Sequence, residues 1–134
     1  MRGSVLCAVR GVWVAATPEE LVRQKVIAYL IGELRFPKSL ISVEEGTALS
    51  GRRSDLVAYM KQEAELLPLL LVECKAKKCS EKALRQLLGY NETWRAPFVA
   101  LVAAQEWCIY SVASGALPTL PPYETLVATI CLKQ

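Results

Sequence analysis

One short run constrains the fold more than any other feature. Leu69-Leu70-Leu71-Val72 passes without a break into Glu73-Cys74-Lys75. A continuous apolar stretch of this length reads as a strand covered on both faces, because a strand with one wet face would alternate. The chain must therefore supply a layer for each side of a sheet. It must also accommodate a carboxylate and an ammonium leaving a buried strand. Strand side chains alternate, so Glu73 and Lys75 share one face and Cys74 takes the other. Such charges are costly to bury unless they pair or bind a metal.

The surrounding elements can be read in order. Thr17 is placed to cap a helix, with Pro18 at its first position and Glu20 three residues on, as in a capping box. Leu21, Val22, Val26, Tyr29 and Leu30 give its apolar stripe, and Gly32 and Pro37 bracket its end. Short strands are predicted over Leu40–Val43 and Leu56–Tyr59, with the polar turn Ser50-Gly51-Arg52-Arg53 between them. The charged segment Lys61–Glu65 reads as a hairpin connection into the central strand. Ser80 is placed to cap a second helix that runs through Leu84, Leu87 and Leu88 towards Trp94. Phe98–Val102 is a further buried strand and Trp107–Val112 its successor. Pro118, Pro121 and Pro122 then mark a surface wrap before a short element near Tyr123–Cys131, whose type the pattern leaves open.

The order α-β-β-β-α-β-β predicts an α/β fold: a meander of three strands, a helical crossover, and a mixed central sheet flanked by helices on both faces. With 134 residues, a single domain over 1–134 is expected, with a core over 17–112 and a C-terminal extension over 113–134.

Composition removes several chemistries. Hydrophobic residues make up 53% of the chain, too many for disorder. A net charge of +3 argues against a general nucleic-acid coating protein, so any basic footprint must be local. Histidine is absent, which excludes Ser-His-Asp and Cys-His catalysis and His-containing zinc sites. The five cysteines are odd in number and none has C-x-x-C spacing, so reduced thiols in a cytoplasmic setting are expected. Arg10 interrupts the mildly apolar N-terminus, against a secretory signal, and no stretch has the ~20 apolar residues of a membrane span. No G-x-x-x-x-G-K-[ST] loop is present, so NTP binding is not expected.

The remaining chemistry centres on carboxylates and lysine. Asp55 begins the strand before the central one, so hairpin pairing would bring it towards Glu73. A divalent cation relieves the repulsion between two nearby carboxylates, and magnesium needs few of them because water and phosphate complete its shell. Such an ion can acidify water and stabilise charge on a phosphodiester, with Lys75 orienting the water or meeting the developing charge.

Asp55 followed by Glu73-x-Lys75 on the next strand resembles the PD-(D/E)XK nuclease signature. Thr17-Pro18-Glu19-Glu20-Leu21-Val22-Arg23-Gln24, Arg52-Arg53-Ser54-Asp55, Leu71-Val72-Glu73-Cys74-Lys75 and Gln86-Leu87-Leu88-Gly89-Tyr90 extend the resemblance. In this order they are similar to the N-terminal nuclease domain of type I restriction enzyme R subunits and its small free-standing relatives, over about Thr17 to Val102. The resemblance implies a restriction-endonuclease-like αβββαβ core and cleavage of DNA phosphodiesters with Mg²⁺ or Mn²⁺. It implies Asp55, Glu73 and the Cys74 backbone carbonyl as metal ligands, Lys75 as the catalytic lysine, and Glu20 as an acid holding metal-bound water or Lys75. Gln86 and Tyr90 match the QxxxY motif of related nucleases. Ser54 departs from the family, which has proline there.

Blander readings stand beside these. Asp55, Glu73 and Lys75 could be an ion-pair network, Glu20 a capping residue, and Gln86 with Tyr90 an ordinary polar helix face. Arg52, Arg53, Lys77, Lys78, Lys82 and Arg85 are solvated charges or a phosphate track. Trp13, Trp94 and Trp107 read as packing residues. The competing function is a catalytically silent nucleic-acid or protein binding module within a restriction or repair complex. A double-strand cut would need two sites, which a homodimer would supply.

Overall fold

The computed structural model describes residues 3–44 and 55–132; the side chains of Glu44, Asp55 and Leu132 are outside that description, as are Arg52 and Arg53. Two short strands, β1 (Ser4–Leu6) and β2 (Trp13–Ala15), pair antiparallel ahead of α1 (Pro18–Gly32). After a 3₁₀ turn over Lys38–Leu40 come β3 (Ile41–Glu44), β4 (Asp55–Gln62), β5 (Glu65–Cys74), α2 (Glu81–Trp94), β6 (Phe98–Val102), β7 (Trp107–Ser111), β8 (Gly115–Leu117) and α3 (Tyr123–Leu132). Strands β3 to β8 form one six-stranded sheet in sequence order. Only β5 and β6 run parallel within it; every other neighbouring pair is antiparallel. A parallel pair needs a long crossover, and α2 supplies it. The predicted mixed α/β architecture is therefore the observed one, and it is compatible with a restriction-endonuclease-like fold.

Local chemistry explains the helix boundaries. Thr17 is extended and its hydroxyl accepts from the Glu20 backbone N–H at 3.1 Å, with Pro18 following. Ser80 does the same for α2, accepting from the Ala83 N–H at 3.0 Å. At the other end of α2, Arg95 turns left-handed at φ 58°, and buried Asn91 exchanges two hydrogen bonds with Ala96, 2.8 and 3.0 Å long. That side chain does the work of a second backbone and turns the chain into β6.

The sheet carries a core on each face. On one side, Leu70, Val72 and Cys74 of β5 pack with Val26, Ile27 and Leu30 of α1 and with Leu126 of α3. On the other, Leu71 packs with Val57, Val99 and Leu101 and with Ala83 and Leu87 of α2. Leu69 to Val72 are all fully buried, as the apolar run requires. Each such leucine contributes about 1.5–3 kcal/mol through burial. Alternation continues past Leu71 to Glu73, so the glutamate belongs to the α2 side.

Several sequence expectations shift on inspection. The α1 stripe is displaced: Ile27 is fully buried, whereas Leu21 and Tyr29 are exposed. Those two instead line a groove of about 660 Å³ beside Trp107, and Tyr29 meets Trp107 edge to face at 5.4 Å. The connection expected over Lys61–Glu65 is mostly strand. Gln62 pairs with Glu65, leaving Glu63 and Ala64 as the turn, with Glu63 at φ 56°. The undetermined C-terminal element is helical. Neither the β1–β2 hairpin nor β8 was expected. Pro68 lies inside β5 without breaking the sheet, because pairing with β6 begins only at Leu70. A register shift between Ala58 and Tyr59 leaves Leu69 as the extra residue there, and proline is tolerated at bulges and edges.

Candidate active site at the end of β5

The β4–β5 ladder sets Asp55 directly opposite Glu73, two residues along from the Val57–Leu71 pair. Glu73 is 3% exposed, and its carboxylate meets the Lys75 ammonium at 2.8 Å. Lys75 itself is about one-third exposed, so the pair opens from the buried strand end onto solvent. The ladder then releases the chain in a controlled way. The Lys75 N–H donates to the Val102 carbonyl at 2.8 Å, which ties the lysine backbone to the end of β6. A turn between β6 and β7, closed by the Ala103 N–H on the Glu106 carbonyl, presents the Glu106 carboxylate to the Cys79 N–H at 2.6 Å. Both ends of the segment from Lys75 to Cys79 are thus fastened to neighbouring strands.

Gln86 and Tyr90 lie one turn apart on α2, the helix covering the Glu73 side of the sheet; Gln86 is exposed and Tyr90 half-buried against the second core. Lys77, Lys78, Lys82 and Arg85 are all exposed. Arg85 approaches Glu81 at 3.9 Å in a solvent-facing pair, an arrangement that contributes under ~1 kcal/mol.

Glu20 sits in the other layer, at the start of α1. It is buried, and its carboxylate accepts from both ends of the Arg23 guanidinium and from the Gln24 amide at 2.8 Å, with Arg10 at 3.7 Å. Burial alone would raise this carboxyl group, but the Arg23 and Gln24 hydrogen bonds and the Arg23 and Arg10 charges outweigh it and hold it below the usual glutamate range. Gln24 also accepts from the Ala8 N–H at 3.0 Å, so the network fastens the β1–β2 hairpin to α1. The contacts of Arg10 and Gln24 with Glu20 were not expected from the residues alone. The signal was present in part, since Arg23 and Gln24 stand three and four residues after Glu20 on one helix face.

Among the described residues no three His, Cys, Asp or Glu side chains cluster to hold a metal. No helix among them is long and apolar enough to cross a membrane. The 660 Å³ groove lies on the α1 side between Leu21, Val26 and Trp107; neither Glu73 nor Lys75 lines it, but it reaches Ala76 and Val102 beside Lys75.

A family model described as the type I restriction enzyme R protein N terminus matches residues 18–119. The match opens on the first residue of α1 and closes just past β8, leaving the β1–β2 hairpin and α3 outside it. No curated protein and no solved structure matches the chain.

Proposed function

From the premise that this chain belongs to the family of type I restriction enzyme R protein N termini, we propose that it is a metal-dependent nuclease that hydrolyses DNA phosphodiester bonds, with Asp55, Glu73 and Lys75 at its centre. The observation that supports this reading most is the register Asp55 opposite Glu73, with the Lys75 ammonium 2.8 Å from the Glu73 carboxylate. Two acid positions facing each other beside one lysine, at a strand end that opens to solvent, suit a hard cation better than a closed ion pair.

The donor set fits magnesium or manganese. Asp55, Glu73 and the Cys74 carbonyl would offer hard oxygen ligands and leave positions for water and phosphate. Such an ion, when bound, supplies Lewis-acid stabilisation of the phosphoryl oxygens and a lower pKa for water. The chain's own residues do the rest. Burial and the β4–β5 ladder fix the Glu73 carboxylate. Lys75, anchored through its backbone to Val102, orients the attacking water or meets charge developing on the phosphate. Gln86 and Tyr90 would contact the substrate from α2. Lys77, Lys78, Lys82 and Arg85 would track the DNA backbone without reading its sequence. Arg52 and Arg53, outside the described residues, belong to the same proposed phosphate contacts. Glu20 enters this scheme as a positioning residue: its carboxylate is already held by Arg23 and Gln24, and it orders the start of α1.

The direct test is cleavage of DNA by the purified chain with Mg²⁺ or Mn²⁺, repeated with Asp55→Ala and Lys75→Ala. Loss of cleavage in both variants is expected; equal activity in all three proteins would remove the proposal. A second reading has one observation in its favour. The Lys75–Glu73 contact already neutralises the buried carboxylate, as a silent module of this fold would need. Calorimetric titration with Mn²⁺ separates the two, since a folded chain that binds no metal would favour the silent module.

A further inference from the structure

We propose that Cys79 and Cys108 are a redox-modifiable pair whose oxidation to a disulfide staples the segment after Lys75 onto β7. Nothing in this proposal depends on the nuclease reading. Cys79 ends the connection between β5 and α2, and Cys108 lies within β7. The Cys79 thiol donates to the Leu101 carbonyl at 3.3 Å and lies 3.8 Å from the Glu106 carbonyl. Leu101 is the register partner of Cys108. The contacts that fix Cys79 therefore fix it over the strand pair that carries Cys108, and the Cys108 sulfur is one of the groups that perturb the Cys79 thiol. Both sulfurs rest against the α2-side core and both residues are partly exposed, so a small reagent can reach them. The other cysteines lack this arrangement: Cys7 and Cys74 are buried in the α1-side core, and Cys131 is exposed on α3.

The order of attack follows from the surroundings. Burial first, then the Cys108 sulfur and the Glu106 carboxylate, push the Cys79 thiol up to about 12. A thiol that keeps its proton is a poor nucleophile, so Cys108 reacts first and Cys79 resolves. With a low-molecular-weight disulfide as oxidant, the Cys108 thiolate attacks one sulfur, forms a mixed disulfide and expels one small thiolate. That thiolate takes the Cys79 proton. The Cys79 sulfur then attacks the Cys108 sulfur and expels the second small thiolate. Two protein thiols are oxidised and one small disulfide is reduced to two thiols. Glu106, which accepts from the Cys79 N–H, keeps the backbone in place throughout.

The test uses the full chain, reduced and then equilibrated with oxidised glutathione, quenched in acid and examined by intact mass and peptide mapping. The expected product yields a peptide joining Cys79 to Cys108, two hydrogens lighter than its two reduced parts, in excess over any pair containing Cys7, Cys74 or Cys131; a glutathione on exposed Cys131 does not affect this reading. Cys79→Ser should keep its glutathione adduct on Cys108, beside any on the exposed Cys131, and form no linked peptide. Under native reducing conditions, phenylarsine oxide, which bridges two close thiols, should bind the wild-type chain and not Cys79→Ser. The proposal fails if the wild type accumulates the mixed disulfide without the linked peptide, or if other cysteines link instead. It fails equally if Cys79→Ser loses two hydrogens or binds the arsenical as the wild type does. The wild-type peptide map decides the matter even if the variant does not fold.

Discussion

Two buried glutamates, Glu20 and Glu73, solve the same electrostatic problem in opposite ways. Glu20 is sealed by the forked guanidinium of Arg23, itself 4% exposed, with Gln24 and Arg10 around it. Glu73 is paired with a lysine on the rim, one-third exposed, and faces a second acid position across the ladder. Arginine presents a rigid fork matched to a carboxylate, whereas lysine is a mobile point charge that can yield to a competing cation. The first arrangement holds two segments together. The second sets a buried carboxylate against a partner that itself reaches solvent. Burial of an acid alone therefore says little about its role; the exposure of its partner says more.

The comparison can be broken at either end. On the Glu73 side, Lys75→Ala should lower the cleavage rate by about 10²–10³-fold, the loss expected when one group stabilising the transition state is removed. The variant also takes the ammonium from a buried carboxylate and should lose some stability, so circular dichroism checks that the fold persists. A variant that unfolds would mean that the lysine is structural and that the two glutamates are alike after all. On the other side, Glu20→Ala should destabilise the protein by about 3–5 kcal/mol, because it strips a buried guanidinium of its carboxylate. Urea unfolding measures this, and a loss under ~1 kcal/mol would deny Glu20 its sealing role.

Acid sharpens the contrast without mutation. The folded Glu20 carboxyl lies below its ordinary value of 4.5, so the unfolded chain binds that proton more readily. Its contribution is full above that value and is lost as pH falls through the lower folded value. The unfolding midpoint of the wild type should drop over that window, and Glu20→Gln should flatten the drop. Smaller effects belong to the helix starts. Thr17→Ala or Ser80→Ala should each cost about 1 kcal/mol by removing the acceptor for one N–H. The smallest is Arg85→Ala, which should leave stability within ~0.5 kcal/mol and reduce the salt slope of DNA binding by about 0.9 if Arg85 contacts one phosphate.

Features that rest on local chemistry could be read directly from the residues. Thr17-Pro18 and Ser80 fix helix starts because caps act within three residues, and Leu69 to Val72 fix a central strand because only a doubly covered strand dispenses with polar alternation. That Asp55 approaches Glu73 required only that consecutive strands pair, whereas their direct opposition depends on the register shift between Ala58 and Tyr59. Features that rest on distant partners stayed hidden. Tyr29 fits the α1 stripe by spacing, yet it turns to Trp107, a partner far along the chain. Strands of three residues, such as β1, β2 and β8, carry too few positions to show a period. The last helix follows prolines and is apolar on several sides, so no stripe marks it. The meeting of Cys79 with Cys108 depends on how β6 and β7 stack beside the crossover, which no spacing rule encodes.

The odd residue at Leu69 has a practical side. It divides the β4–β5 hairpin into an outer half, whose pairing is dictated by the Glu63–Ala64 bend, and an inner half, whose pairing aligns Asp55 with Glu73. Disturbance in the bend can be absorbed at the dislocation before it travels inward. The tip of this hairpin is therefore the natural place to graft a fluorophore or affinity tag while leaving the acidic end of the ladder in alignment.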